Sequence, residues 1–543
     1  MTTTPFDVLL LGGNVVDGTG NPWFPADVGI RAGRIAAIGR LAGAQAGVVL
    51  RADGHVVSPG FIDMHSHSDF GVIAHPPAES AVAQGVTTQL IGSCGISAFP
   101  RRPATPRLRL DPPEIGDWSA KEYFGLLGKG IGTNVAVLVG HNRVRACVMG
   151  LDPREPTAEE QGRMRALVEE AMGEGAVGLS TCLEWPSADS ATTAEVVDLA
   201  RAAAKHGGFY SAHLRTYSDG LFDALAETVQ VHRETGMPVH LPIVHTRGRW
   251  RSRMGGLLAA VADYRTQGVP LTMDVIAFPA FGGWWGHRAV FPDTLYGWQA
   301  DNLEDVLGRL ADPGSRAEVR RAVEERRTVP HTTFAEQLLT FDSWDSIRIE
   351  AVGPGSTNAQ FVGQTVTQAA ERVGANPTDF YLDLLMAERR SLATIHYPIR
   401  HDDWIQAFRH PQTSFGLDVV TTRPDLPDRK FNAFHVHPAH FGGMPDVLGT
   451  YTRDLGILSL EEAIRKMTSL AATQIGLRDR GILTEGAWAD IAVFNPRTVA
   501  GRGTWFEPRR YPVGIQHVLV NGVPVVRDGK TTAATPGRVV TRH

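Results

Sequence analysis

The feature that most constrains this chain is a repeating alternation through its middle. Short apolar runs that end in polar residues are followed by helical pattern, again and again. The runs are GFIDMHSH, TTQLIGSCG, NVAVLVGHN, GAVGLST, GFYSAHLR, MPVHLPIVHT and VPLTMDVIAF, with TSFGLDVV far downstream as an eighth. Helical pattern is predicted over about Thr157–Glu174, Thr193–His206, Gly220–Glu234 and Met254–Gln267. Strands alternating with helices at this spacing predict parallel βαβ units. Eight of them predict an α/β fold of the TIM-like (β/α)8 barrel type rather than an open sheet. The stretch from about Phe281 to His410 is too long for one loop, so it is expected to carry its own helices and to cover the barrel mouth.

The two ends have another texture. FDVLLLGG, VVDG and ADVGIRAGRIAAIG near the start, and ADIAVFNP and GIQHVLVNGVPVVRDGK near the finish, read as short strands. The RAGR step and the Asn-Gly pair are hairpin signals. Residues 1–57 and 481–543 are therefore expected to form one small β-sandwich, residues 58–480 the barrel, and about 284–406 its insertion.

Composition supports a compact enzyme-sized chain and narrows its partners. Lys+Arg 53 against Asp+Glu 58 gives a net charge of −5, with no basic footprint for nucleic acid or an anionic membrane. Hydrophobic residues at 43% and charged residues at 20% argue against disorder and coiled coil. Cys94, Cys147 and Cys182 are too few and too far apart for a disulfide framework. The start MTTTPFDVLLLGG has no basic n-region, and no run approaches the ~18 apolar residues of a membrane span. A cytoplasmic protein acting on a small molecule is the expectation, with homo-oligomerisation left open.

In a barrel of this kind, reactive residues stand at the C-terminal ends of the strands. The polar residues there are His65 and His67, Cys94, His141, His213, His245 and Asp418. All are metal-ligand types. His65 and His67 are two apart on an extended segment, so both point to one face. Alone, an H-x-H is more often a pair of loop histidines; the preceding Pro-Gly-Phe-Ile-Asp63 favours ligands here. Cys94 reads equally as a small buried hydrophobe or a thiolate ligand. Cys147 and Cys182 read as structural. His213 and His245, one βα unit apart, are better explained together as ligands than as two core histidines. Asp418 is either a turn aspartate or a functional carboxylate, with its strand-end position favouring the second.

With these residues assembled, the sequence resembles the N-acyl-D-amino-acid deacylase (D-aminoacylase) branch of the metal-dependent amidohydrolase superfamily. PGFIDMHSHSD carries the superfamily H-x-H, IGSCGIS resembles the branch's cysteine segment, and GAVGLST, FYSAHLR and HPQTSFGLD resemble its strand-four, strand-five and strand-eight motifs. LSLEEAIRKMTSLAATQIGLRDRG and GAWADIAVFNP resemble its C-terminal part. The resemblance implies zinc bound tightly by Cys94, His213 and His245, and a second, weaker divalent metal at His65, His67 and Asp418. Strand four offers no bridging lysine, since none lies between Lys129 and Lys205; the resemblance implies Cys94 in that role. It also implies hydrolysis of an amide by metal-activated water, with Asp418 as the catalytic base.

The pattern departs from the branch where substrate is held. The branch's His-Pro-Arg is His437-Pro438-Ala439 here, and its strand-seven Asp-Ala-Tyr-Pro-Tyr is Asp274-Val275-Ile276-Ala277-Phe278. Two usual contacts to a substrate carboxylate are thereby apolar. Arg247, next but one after His245, is either a substitute clamp or a solvated loop arginine. Trp284, Trp285 and His287 sit in an aromatic stretch at the barrel mouth, and with His141 and Arg247 they are the candidate substrate contacts. The expectation is a bulky or aromatic non-standard N-acyl substrate. The same site chemistry also fits a lactam, imide, ester or activated C–C bond, and a non-catalytic metal-binding protein is the third reading.

Overall fold

The computed structural model describes residues 5–108, 111–112, 115–185, 187–246, 252–278, 281–285, 303–324, 344–389, 392–396, 401–426 and 436–542. Its centre is an eight-stranded parallel sheet. The strands are Phe61–Asp63, Val86–Ile91, Asn134–Gly140, Gly178–Cys182, Phe209–His213, Val239–Leu241, Leu271–Ile276 and Thr413–Gly416, each paired with its neighbour in chain order. Every residue of these strands except Thr272 is buried, as expected of strands covered on both faces. All eight coincide with the runs read from sequence.

The first and eighth strands close the barrel through backbone hydrogen bonds beyond the regular ladder. Met64 N donates to Phe415 O (3.1 Å), Asp418 N to His65 O (2.8 Å) and His67 N to Val419 O (2.9 Å). Asp63 pins the same seam: its Oδ1 accepts from His65 N (3.1 Å) and Leu417 N (2.9 Å). Gly416 is needed for this closure, because a Cβ there would stand 2.5 Å from the His65 Cβ.

Helices Ala158–Gly173, Thr193–Ala204, Leu221–Thr235 and Met254–Thr266 cover the barrel, at the positions the periodicity predicts. The first starts with a capping box, in which Thr157 Oγ1 accepts from Glu160 N and Glu160 Oε2 accepts from Thr157 N. Trp404, on helix His401–Arg409, donates from Nε1 to Ile276 O (2.8 Å) and so ties the chain entering the eighth strand to the end of the seventh.

The insertion leaves at the C-terminal end of the seventh strand. It carries helices, including Val366–Val373 and Pro377–Glu388, and also a three-stranded antiparallel sheet of Phe281–Trp285, Ala393–His396 and Ile347–Ala351 that the sequence reading did not foresee. It has its own core, with Leu310, Trp344, Ile349, Tyr381 and Leu385 buried together.

Both chain ends build a separate nine-stranded mixed sheet. The join is the antiparallel pair of Val56–Pro59 with Ile491–Phe494. The RAGR and Asn-Gly hairpins are present: Ala32 and Gly33 (φ 51° and 76°) and Asn521 and Gly522 (φ 50° and 79°) are both left-handed pairs, the geometry that tight hairpin turns demand. The segment after this sheet's Ile491–Phe494 strand also returns to the barrel mouth, where Trp505 packs against Phe278 and His437. No helix among the described residues is long and apolar enough to cross a membrane.

Candidate metal centre

The seam between the first and eighth strands gathers the donors. His65, His67 and Cys94 offer ligand atoms that all lie within 4.8 Å of one another, and all three residues are buried. Cys94 Sγ is 3.3 Å from His65 Nε2 and 3.5 Å from His213 Nδ1. Asp418 Oδ1 is 3.2 Å from His67 Nε2 and 3.7 Å from His65 Nε2. Cys94 and Asp418 are both held at positive φ (51° and 53°), as is Ile243 (48°), two residues before His245. Such backbone is costly for a non-glycine residue and persists where surrounding contacts fix it. For Cys94 those contacts include the Ser180 hydroxyl, which accepts from Gly95 N (3.0 Å) and donates to Gly92 O.

His213 is held by three neighbours. Its Nε2 meets the Glu184 carboxylate at 2.8 Å, Trp185 lies 5.7 Å away between ring centroids, and Tyr217 meets it edge-on at 5.2 Å. The other face of Tyr217 stacks on His245 at 3.9 Å. His245 Nδ1 lies 2.6 Å from Ile243 O, so it donates there and Nε2 is the lone-pair nitrogen. Beneath the cluster, Asp274 accepts from Ile243 N and pairs with His240 Nε2 (2.8 Å each), and its Oδ2 is 4.0 Å from His65 Nδ1.

The electrostatics of this donor set suit a divalent cation. Burial pushes the Cys94 thiol well up, and nearby Cys182, Asp418, Asp274 and Glu184 push it the same way. A bound cation opposes all of these by pairing with the thiolate. Burial pushes His65 down to about 4, so its imidazole is neutral near pH 7, as a ligand must be. Burial alone would raise Asp418, but its hydrogen bond with His67 and the neighbouring His65 hold it below the ordinary carboxylate range. One thiolate with several imidazoles and a carboxylate is a zinc-type set.

Of the other residues singled out from sequence, the structure does not bring His141 to this cluster. His141 starts helix His141–Met149 and is fully buried, with Nε2 2.8 Å from Glu195 on the covering helix Thr193–Ala204. Arg247 and His287 lie outside the described residues, and Trp284 and Trp285 belong to the strand Phe281–Trp285. Glu184, Tyr217 and Asp274 had no part in the sequence-based site, because no motif marks a residue that acts on a ligand from behind.

Comparison with known proteins fits this arrangement. The sequence model of the Amidohydrolase family matches residues 49–278 and 435–526, more than half the chain. The chain belongs to the amidohydrolase family. This amidohydrolase, a hydrolase of carbon–nitrogen bonds other than peptide bonds, is 33% identical to N-acyl-D-glutamate deacylase of Alcaligenes xylosoxydans xylosoxydans over 99% of its own length and 96% of that protein. It is 32% identical to D-aminoacylase of the same organism, over 99% and 98% of the two chains. Its fold matches the crystal structure of N-acyl-D-glutamate deacylase from Bordetella bronchiseptica with a TM-score of 0.77 and 31% identity, covering 99% of each chain. That structure is complexed with zinc and a phosphonate inhibitor that mimics the tetrahedral intermediate of its reaction. The family match passes over residues 279–434, so the insertion and Asp418 fall in the stretch between its two parts.

Proposed function

We propose that this D-aminoacylase-like amidohydrolase hydrolyses the amide bond of an N-acyl compound with zinc and Asp418, and that its substrate carries a bulky, flat apolar group. The observation that carries the reading is the seam itself, which sets Asp418, His65, His67, Cys94 and, through Cys94, His213 around one point at the barrel mouth. Cys94, His213 and His245 would hold zinc tightly, with His65, His67 and Asp418 holding a second, weaker divalent ion. Zinc bound there would polarise the scissile carbonyl and make water acidic enough to deliver hydroxide near neutral pH.

The chain's own contribution is positioning and proton transfer. The Asp418 side chain is 16% exposed where His65 is fully buried, so it faces the space a substrate enters. Held ionised, it can accept a proton from water and return it to the leaving nitrogen. His67 fixes the carboxylate's orientation through Oδ1.

The absence of two polar side chains supports the substrate assignment. Ala439 is fully buried at the position of the arginine in the branch's His-Pro-Arg motif, and Phe278 packs on Trp505 at 6.3 Å rather than offering a hydroxyl. A substrate carboxylate buried there without a partner would cost several kcal/mol. Arg247, Trp284, Trp285 and His287 remain the proposed substrate contacts, without His141, whose ring is buried against Glu195. The test is a panel of N-aroyl and N-acetyl amides, esters and diketones with the parent and Asp418→Asn. Turnover of N-aroyl amides, lowered ~10²–10⁴-fold by Asp418→Asn, is expected. Efficient turnover of simple N-acetyl-D-amino acids, or an Asp418→Asn variant as active as the parent, would overturn it.

A further inference from the structure

Glu184 stands two residues past the end of the fourth barrel strand and is fully buried. A carboxylate placed there is expensive unless it serves a charge or a strong donor. Its Oε2 lies 2.8 Å from His213 Nε2, while the opposite nitrogen of the same ring, Nδ1, faces Cys94 Sγ at 3.5 Å. The imidazole therefore bridges the carboxylate and the thiol. A neutral imidazole carries one N–H and one lone pair. With Nε2–H donating to Glu184, the lone pair must sit on Nδ1, directed toward Cys94. Trp185 and Tyr217 pack against the ring and limit its rotation.

We infer that Glu184 is a positioning residue for the metal centre: it fixes the tautomer and angle of His213 so that Nδ1 is presented beside Cys94. This rests on the reading that the cluster holds a metal. A carboxylate behind a ligating histidine also makes the imidazole more basic, and losing such a partner typically weakens metal affinity ~10–100-fold. The nearly isosteric Glu184→Gln keeps the volume and removes the charge. Its amide can present either an N–H or a carbonyl to His213, so the tautomer is no longer dictated. Glu184→Asp keeps the charge but withdraws it by one methylene.

The experiment is titration of the metal-stripped full-length protein with cobalt(II), followed by zinc competition against a chelator, for the parent, Glu184→Gln and Glu184→Asp. Cobalt bound at Cys94 reports through its thiolate charge-transfer absorption, and its visible bands report ligand geometry. The expected result is a zinc affinity lowered ~10–100-fold in Glu184→Gln, with the charge-transfer band kept, the visible bands altered and Glu184→Asp lying between. Thermal unfolding of each stripped protein separates this from a fold defect: a purely structural role would lower Tm and leave affinity per folded molecule unchanged, which overturns the inference. Parent-like affinity and spectra in Glu184→Gln overturn it as well, and if Glu184→Gln does not fold, parent-like values in Glu184→Asp do the same. A parent that takes up neither metal overturns the metal reading and this inference with it.

Discussion

Two buried histidine–carboxylate pairs have one barrel strand between their histidines and share the same 2.8 Å spacing. His213 meets Glu184 at the barrel rim, and His141 meets Glu195 in the layer between strands and helices. The difference lies in what surrounds them. Behind His213, the second ring nitrogen faces a thiol. At His141, Nδ1 is buried without a hydrogen-bond partner, and the Glu195 charge is met by Arg145 Nε at 3.0 Å. Burial alone would raise Glu195, yet His141 and Arg145 together bring it below its ordinary value. The outer pair thus fastens helix Thr193–Ala204 to helix His141–Met149 through one shared carboxylate. The inner pair is open on one side, and a pair open toward other donors is what a metal centre needs.

This contrast can be broken at graded points. The largest effect is expected from Cys94→Ala, which removes the donor common to both His65 and His213. It should abolish tight zinc binding, exceeding the ~10–100-fold loss assigned to an outer partner, as measured by metal content after dialysis. Next is Glu195→Gln in the outer pair. Leaving buried Arg145 and His141 short of their anion should cost about 3–5 kcal/mol of stability, read by denaturant unfolding. Zinc stoichiometry and affinity should stay at parent values, and a fall in zinc affinity there would erase the distinction between the two pairs. The smallest effect belongs to the covering layer itself. Thr157→Ala removes the cap of helix Ala158–Gly173 and should cost ~1 kcal/mol, with no change at the metal.

The same contrast explains how far the sequence could be read. Strand order, helix positions and hairpin turns follow from local periodicity and turn chemistry, so the eight barrel strands and the pairs at Ala32–Gly33 and Asn521–Gly522 were legible. The strand-end list also contained the donors the seam now gathers. What it could not tell was on which side of the wall a strand-end residue stands. His141 occupies the same kind of position as His213, but helix His141–Met149 begins on it and its ring meets the outer layer. Glu184 meets His213 from 29 positions away, Asp274 meets Ile243 from 31, and Asp63 meets Leu417 across the barrel closure from 354. No local pattern encodes that. The three-stranded sheet of the insertion was missed for a similar reason, since Phe281 pairs with His396 across more than a hundred residues of intervening chain and Ile347 pairs with it across 48.

The central claim is that this amidohydrolase holds zinc through the Cys94 sulfur, not through nitrogen and oxygen alone. Zinc K-edge X-ray absorption of the purified protein tests it most directly. The account predicts one sulfur at about 2.3 Å together with nitrogen ligands at about 2.0–2.1 Å, and loss of the sulfur shell in Cys94→Ala. A first shell of nitrogen and oxygen only, unchanged by that substitution, would contradict it.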